Sequence, residues 1–108
     1  MPHLVMFMKC PSHVIGNVVK KTIESIQKNL FPDDESIQET LVNSAWKSCE
    51  DGITVLSVTR VKEGKLEEAL KMVYKELAYY SELEGCEISI EVWGTSQEAA
   101  EALGVELP

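Results

Sequence analysis

The chain has 108 residues, and its 18 acidic and 10 basic side chains give a formal net charge of −8. Nucleic acids and anionic membrane surfaces bind basic proteins, so neither is expected as a partner. With 44% hydrophobic and 26% charged residues, residues 1–108 have the composition and length of a single globular domain.

A strand and a helix are predicted first. Residues 3–9 form a mostly apolar run that ends at Cys10-Pro11, a pattern typical of a strand. Ser12 can cap the helix that follows, because its hydroxyl can accept a bond from a free backbone N–H of the first turn. The apolar side chains of this helix recur at helical spacing: Ile15, Val18, Val19, Ile23, Ile26 and Leu30.

The middle of the chain predicts a hairpin, of which the first strand is uncertain. Pro32 disfavours helix at the residue before it and so interrupts the first helix. Residues 36–48 then fit either a short helix or an edge strand. Asp51-Gly52 tolerates the positive φ angles of a tight turn, and the β-branched residues of 53–61 predict a strand directly after it.

A long helix, a strand and a short helix complete the chain. Residues 62–83 carry an apolar stripe along one helical face, with charges on the other. Residues 86–94 alternate as a strand, with the apolar set directed at a core: Cys86, Ile88, Ile90 and Val92. Thr95 and Glu98 then form a capping box for a short helix closed by Gly104.

This order of elements predicts an α+β fold, namely a ferredoxin-like βαββαβ sandwich with a short C-terminal helix. In that arrangement the first and third strands are central, the second and fourth lie at the edges, and both long helices cover one face. The sequence therefore predicts a single ferredoxin-like domain over residues 1–108.

The first strand predicts an oligomer, because it is apolar on both faces. Val5 and Phe7 would lie on one face and Leu4, Met6 and Met8 on the other. Two helices cover only one face, and leaving three such side chains in water would forfeit roughly 5 kcal/mol. We therefore expect a homodimer packed sheet against sheet, or a higher oligomer built from such dimers.

Two local patterns resemble a known group of proteins. Residues 58–62 (VTRVK) running into residues 63–70 (EGKLEEAL) resemble the strand–turn–helix junction of antibiotic-biosynthesis-monooxygenase-like domains. Residues 91–100 (EVWGTSQEAA), a strand entering a short helix, are similar to that group as well. Over most of its length the chain thus resembles the dimeric α+β barrel superfamily. The resemblance implies a dimeric barrel and functions that include cofactor-free oxygenases, haem-degrading enzymes, isomerases and stress proteins.

Five polar or aromatic side chains are candidates for a pocket or an interface: Asn43, Trp46, Ser89, Glu91 and Trp93. The resemblance implies that cofactor-free oxygenation uses groups of this kind around a barrel pocket; alternatively, the two tryptophans simply fill the interface between sheets. Haem-degrading members use an Asn, a Trp and a His, but His3 and His13 lie at the wrong end of this chain. No cofactor is expected.

Glu87 and Glu91 invite a paired-carboxylate hypothesis, which their spacing disfavours. Four strand residues separate them by roughly 13 Å, whereas glycosidase-type carboxylates cooperate over about 5 to 9.5 Å. Charges on an edge strand discourage unwanted strand addition, and this is the preferred interpretation. A single Glu91 beside Trp93 could still act as a general base at a pocket rim.

Neither a metal site nor a disulfide framework is expected. Cys10, Cys49 and Cys86 are odd in number, far apart and without a CxxC pair. Cys10 with His13 is a single pair of short-spaced ligands, whereas structural zinc sites combine two such pairs. With no secretory signal and no apolar run near the roughly 20 residues of a membrane span, we expect free buried thiols in the cytoplasm.

Three functions follow as hypotheses. In the first, the protein binds a small apolar or aromatic molecule without catalysis. In the second, it is a cofactor-independent oxygenase or isomerase that uses the barrel pocket. In the third, it is purely structural. An open cavity between sheet and helices, lined by Trp46, Trp93 or Ser89, would favour the first two, and an interior filled with side chains would favour the third.

Overall fold

A computed structural model describes all 108 residues. The strands are β1 (His3–Pro11), β2 (Gln38–Cys49), β3 (Gly52–Val61) and β4 (Glu87–Trp93). The helices are α1 (Ile15–Gln27), α2 (Leu66–Tyr80) and α3 (Ser96–Leu103), with one 3₁₀ turn at Ser12–Val14 before α1. No helix has both the length and the apolar character needed to cross a membrane.

The four strands form one antiparallel sheet in the order β2-β3-β1-β4. The first and third strands are therefore central and the other two lie at the edges. With its three helices the molecule has the mixed α+β fold that the sequence predicts, in an arrangement compatible with a ferredoxin-like domain. Residues 36–48, open to two interpretations in the sequence, contribute the edge strand β2 rather than a helix.

Both ends of α1 differ from the prediction. Ser12 does not cap the helix: it lies in the 3₁₀ turn, and its hydroxyl donates to the backbone carbonyl of Asp51 at 3.3 Å. The helix ends at Gln27 rather than Leu30, because Asn29 adopts a left-handed conformation with φ of 49°. Asn accepts this conformation more readily than most residues, so it stops the helix before Pro32 can.

The hairpin and the end of α2 are also displaced from their predicted positions. The two turn residues are Glu50 and Asp51, whereas Gly52 already pairs with Cys49 as the first residue of β3. The helix α2 ends at Tyr80 rather than near residue 83, and turn residues follow it up to the left-handed Gly85.

The core lies between α1, α2 and the side of the sheet that we call the inner face. The buried side chains there come from β1, β3, the 3₁₀ turn and both long helices: Leu4, Met8, Cys10, Val14, Val18, Ile53, Val55, Val61, Ala69 and Tyr80. Ile88 and Ile90 of β4 pack against this core as predicted. Val92 does not, since half of its surface (50%) is exposed near the end of an edge strand with a neighbour on one side only.

The opposite side of the sheet, the outer face, has an apolar centre. In the strand register, Val5 is opposite Val58 and Phe7 is opposite Leu56. Val5 is only 2% exposed, but the other three side chains keep part of their surface in water. The core contacts place α1 and α2 on the inner face, so neither helix covers this centre.

Candidate functional site

A cavity of about 700 Å³ lies between the inner face of the sheet and the helices. Its apolar floor includes Met6 and Met8 of β1 and Val55 of β3, and its other walls come from α1, α2, β2 and the connection after α1. Pockets that bind small molecules usually measure about 300–1,000 Å³. The interior is therefore not filled by side chains, and its open space is of the size that a small molecule needs.

Irregular pairing of β2 shapes one wall of the cavity. The paired positions are Thr40–Thr59, Val42–Val58 and Ala45–Leu56. From each of these pairs to the next, β2 contains one residue more than β3, so β2 has two β-bulges. A bulge bends its strand and redirects the side chains within it. Asn43 and Ser44 lie inside the second bulge, and both line the cavity.

Hydrogen bonds hold this wall in place. The Ser57 hydroxyl donates to the backbone carbonyl of Asn43 at 2.8 Å and so ties the bulge to β3. The indole Nε1 of Trp46 donates to the Ser44 hydroxyl at 2.7 Å, which fixes the orientation of the ring at the cavity wall. The wall thus combines one positioned aromatic ring with amide and hydroxyl groups that can form hydrogen bonds.

On the opposite side, polar contacts join the two long helices. The Tyr80 hydroxyl and the Thr22 hydroxyl are 2.8 Å apart, so one donates to the other. The Ser25 hydroxyl donates to the backbone carbonyl of Thr22 at 2.7 Å. All three residues line the cavity, and each of their hydroxyl groups already has a hydrogen-bond partner within the chain.

Glu76 is a carboxyl group of α2 that also lines the cavity. It takes part in none of the ion pairs of the chain. Burial, and after it the negative charge of Asp33, raise the pKa of Glu76 above its usual value. A half-buried carboxyl group with a raised pKa can hold or accept a proton closer to neutral pH than an ordinary glutamate.

The sequence contained a signal for Glu76 that the prediction missed. Glu76 lies three residues after Val73 and four before Tyr80, and both belong to the apolar stripe of α2. On a helix these spacings place side chains on the same face. A carboxyl group on an otherwise apolar stripe is an exception that marks a candidate site.

The five candidate residues divide between the two faces of the sheet. Asn43 and Trp46 line the cavity. The other three pair with outer-face residues of β1, as Ser89–Phe7, Glu91–Val5 and Trp93–His3. None of these three lines the cavity, so of the residues expected around it, Trp46 lines it and Ser89 and Trp93 do not.

Glu91 and Trp93 contact each other on the outer face. The Trp93 indole Nε1 donates to the Glu91 carboxylate at 2.9 Å, and the Trp93 side chain is 51% exposed. Their role at an interface stays a prediction. No three His, Cys, Asp or Glu side chains cluster in a way that could hold a metal ion.

Fold and cavity together define an α+β protein with a pocket between its sheet and its helices. Comparison of the chain with protein-family models, with curated proteins and with solved structures finds no match. The likeness to the dimeric α+β barrels therefore rests on the order of the elements and on local sequence patterns alone.

Proposed function

We propose that the cavity binds a small apolar or aromatic molecule without catalysis. The observation that carries this proposal is the cavity itself, about 700 Å³ of open space against the inner face of the sheet. The cavity is open to solvent, and three apolar side chains that line it, Ile26, Leu30 and Trp46, are 71%, 43% and 41% exposed in the single chain. Exposed apolar side chains grouped around an open cavity are typical of a binding site.

The lining indicates the chemistry of the ligand. Twelve of the 26 lining residues are hydrophobic, which suits an apolar body. Trp46 and Tyr80 provide aromatic surfaces for a ring, since aromatic pairs are worth about 0.5–1.5 kcal/mol beyond area burial. The polar groups of Asn43 and the neighbouring hydroxyls can orient one or two polar atoms of the ligand.

The test is a titration with N-phenyl-1-naphthylamine, a neutral aromatic probe whose fluorescence rises in apolar surroundings. We expect saturable binding of one probe per chain. Ser57→Phe, which fills the cavity from β3, should weaken binding at least about tenfold. Ser48→Phe is the matched control, because Ser48 is exposed on β2 and does not line the cavity. Absence of saturable binding, or equal binding by both variants, contradicts the proposal.

One observation favours a second candidate function, a cofactor-independent oxygenase or isomerase. Glu76 could act as a general base in the cavity, because a catalytic base works best when its pKa lies near the working pH. Turnover of a substrate found by screening should then be lost in Glu76→Gln, with unchanged binding of the probe above. The outer-face variant Glu91→Gln should keep full activity. Retained turnover in Glu76→Gln contradicts this candidate.

We further propose that the chain is a homodimer, as in the dimeric α+β barrels, with the outer faces of two sheets in contact. The apolar centre of that face supports this, since Phe7, Leu56 and Val58 are partly exposed in the single chain. A four-stranded sheet is roughly 19 Å wide and about 30 Å long, a planar area on the order of 600 Å². That approaches the roughly 800 Å² per partner of a standard stable interface.

Multi-angle light scattering tests the oligomer at micromolar concentration. We expect a mass close to twice the 12.1 kDa of the chain, or a multiple of the dimer. A mass of one chain at that concentration contradicts the dimer, and leaves the binding proposal untouched because the cavity lies within a single chain.

A further inference from the structure

Two of the three cysteines lie side by side at one end of the sheet. The register between β1 and β4 pairs Lys9 with Glu87, so the next step of this antiparallel ladder sets Cys10 opposite Cys86. Their sulfur atoms are 2.8 Å apart, and both thiols are free. Cys86 packs against the core cluster to which Cys10 belongs, so both side chains lie on the inner face.

The backbone at this position is compatible with a disulfide bond. Directly opposed residues of antiparallel strands have Cα atoms about 4.5–5.5 Å apart, within the range of about 4.4–6.8 Å found across disulfides. We propose that Cys10 and Cys86 are a site of oxidative modification, at which a hydroperoxide converts the two thiols into a reversible intramolecular disulfide.

The reaction has two steps. The Cys86 sulfur attacks the terminal oxygen of the hydroperoxide; an S–O bond forms, the O–O bond breaks, and the alcohol leaves with the thiol proton. The Cys10 sulfur then attacks the resulting sulfenic acid of Cys86; the S–S bond forms, and the hydroxyl leaves as water with the proton of Cys10. The two thiols together lose two electrons, and the peroxide bond gains them.

The burial of the two sulfur atoms decides which cysteine reacts with the hydroperoxide and which attacks the sulfenic acid. Cys10 is only 1% exposed, whereas Cys86 retains access to solvent and is the sulfur that a peroxide can reach. Burial, together with the hydrogen bond and charge of Cys86, raises the pKa of Cys10 to about 12. Cys10 therefore keeps its proton until the second step, where the departing hydroxyl takes it up.

The third cysteine lies too far away to compete. Cys49 is opposite Gly52, and Gly52 in turn is opposite Pro11, so two strand spacings separate β2 from β1. Two spacings amount to roughly 10 Å, beyond the limit of about 7 Å for a disulfide. We expect Cys49 to stay reduced while the pair oxidises.

The test oxidises the reduced full-length chain with hydrogen peroxide, alkylates the remaining thiols with iodoacetamide under denaturing conditions, and maps the peptides by mass spectrometry. We expect one linked peptide pair containing Cys10 and Cys86, and an alkylated Cys49. The melting temperature should rise by roughly 5–15 °C, because the link joins residues far apart in the sequence. Dithiothreitol should reverse both effects.

Single-cysteine variants provide the controls. Cys49→Ser should form the same link with the same rise in melting temperature. Cys10→Ala and Cys86→Ala should form no intramolecular link and show no rise. Three alkylated cysteines after oxidation of the folded wild type, or a link through Cys49, would overturn the proposal. If Cys10→Ala or Cys86→Ala fails to fold, the peptide maps of the wild type and Cys49→Ser still decide whether the proposed link forms.

Discussion

Glu76 shows how one residue on an apolar stripe changes the response of the molecule to pH. Its pKa is raised by burial first and by Asp33 second, so the folded state holds the proton at pH values where the unfolded chain has lost it. Stability therefore falls as pH rises from 4.5, the ordinary pKa of a glutamate, through the higher pKa of the folded state. Above that pKa the loss of stability is complete.

Glu76→Gln should remove this cost. We expect the variant to melt at a higher temperature than the wild type at pH 8, with a difference that shrinks towards pH 4, where Glu76 is mostly protonated in both states. Circular dichroism melts at pH 4, 6 and 8 measure it. Glu68→Gln, an exposed position on the same helix, is the control and should show no such trend. A difference independent of pH would assign the effect to packing instead of ionisation.

Gly52 shows a different constraint, that of close backbone contact. A Cβ atom at Gly52 would overlap the backbone carbonyl oxygen of Cys10 and crowd the backbone of Pro11. Backbone atoms of a central strand cannot give way as a flexible side chain can. Gly52→Ala should therefore destabilise the protein by about 2–3 kcal/mol, roughly 10–20 °C in melting temperature.

Gly16→Ala is the matched control for that substitution. A Cβ atom at Gly16, in the first turn of α1, meets nothing within 4 Å. Alanine in a helix is favoured over glycine by about 0.5–1 kcal/mol, so this variant should be slightly more stable than the wild type. Urea unfolding of both variants measures the contrast. Equal effects of the two substitutions would refute the argument from backbone overlap.

At the scale of elements, α3 depends on its capping box. The backbone N–H of Glu98 donates to the Thr95 hydroxyl at 3.1 Å, and the N–H of Thr95 donates to the Glu98 carboxylate at 3.2 Å. Of the eight residues of α3, only Ala100 is buried. With so little packing, a helix of two turns relies on its cap.

Thr95→Ala should cost about 1 kcal/mol, confined to α3. We expect amide hydrogens of α3 to exchange several times faster, with unchanged protection in the central strands. Hydrogen exchange followed by mass spectrometry resolves the two regions. Thr95→Ser keeps the hydroxyl and should retain most of the protection. Faster exchange throughout the sheet would show instead that α3 is coupled to the whole fold.

At the scale of the whole molecule, Phe7 lies at the centre of the outer face. In the proposed dimer, Phe7→Lys removes one apolar side chain from each subunit. At about 2 kcal/mol for each side chain, the dissociation constant should rise roughly a thousandfold. Analytical ultracentrifugation at micromolar concentration measures the dissociation constant of the dimer, and circular dichroism checks that the variant is folded. Asn17→Lys, at an exposed position of α1, adds the same charge and should leave the assembly unchanged.

Prediction from the sequence succeeded where a repeating pattern directly reflects burial. The apolar positions of β4 and α2 recur with periods of two and about 3.6, which a strand or a helix needs in order to bury one side. It failed at Ser12, because the hydroxyl bonds the distant carbonyl of Asp51 instead of the helix N-terminus. That contact joins residues 39 positions apart, so no local pattern reveals it.

Most of the candidate site lay outside what the sequence could predict. Asn43 and Trp46 were candidates as residue types, but Asn43 reaches the cavity wall from within the second bulge of β2. Bulges depend on pairing with β3, and their positions have no strong sequence signature. Trp93 and Ser89 belong to the outer face because of their register with β1, which excludes them from the cavity.

By itself the sequence determined the class of fold, the order of its main elements and the alternation that sends Ile88 and Ile90 of β4 to the core. These depend on local propensity and on the period of apolar residues, which each segment carries alone. Only the tertiary structure decided that residues 38–49 form an edge strand, that Glu76 lines an open cavity, and that Cys10 lies 2.8 Å from Cys86. Each of these depends on which distant segments become neighbours, and that is settled when the sheet pairs and the helices pack.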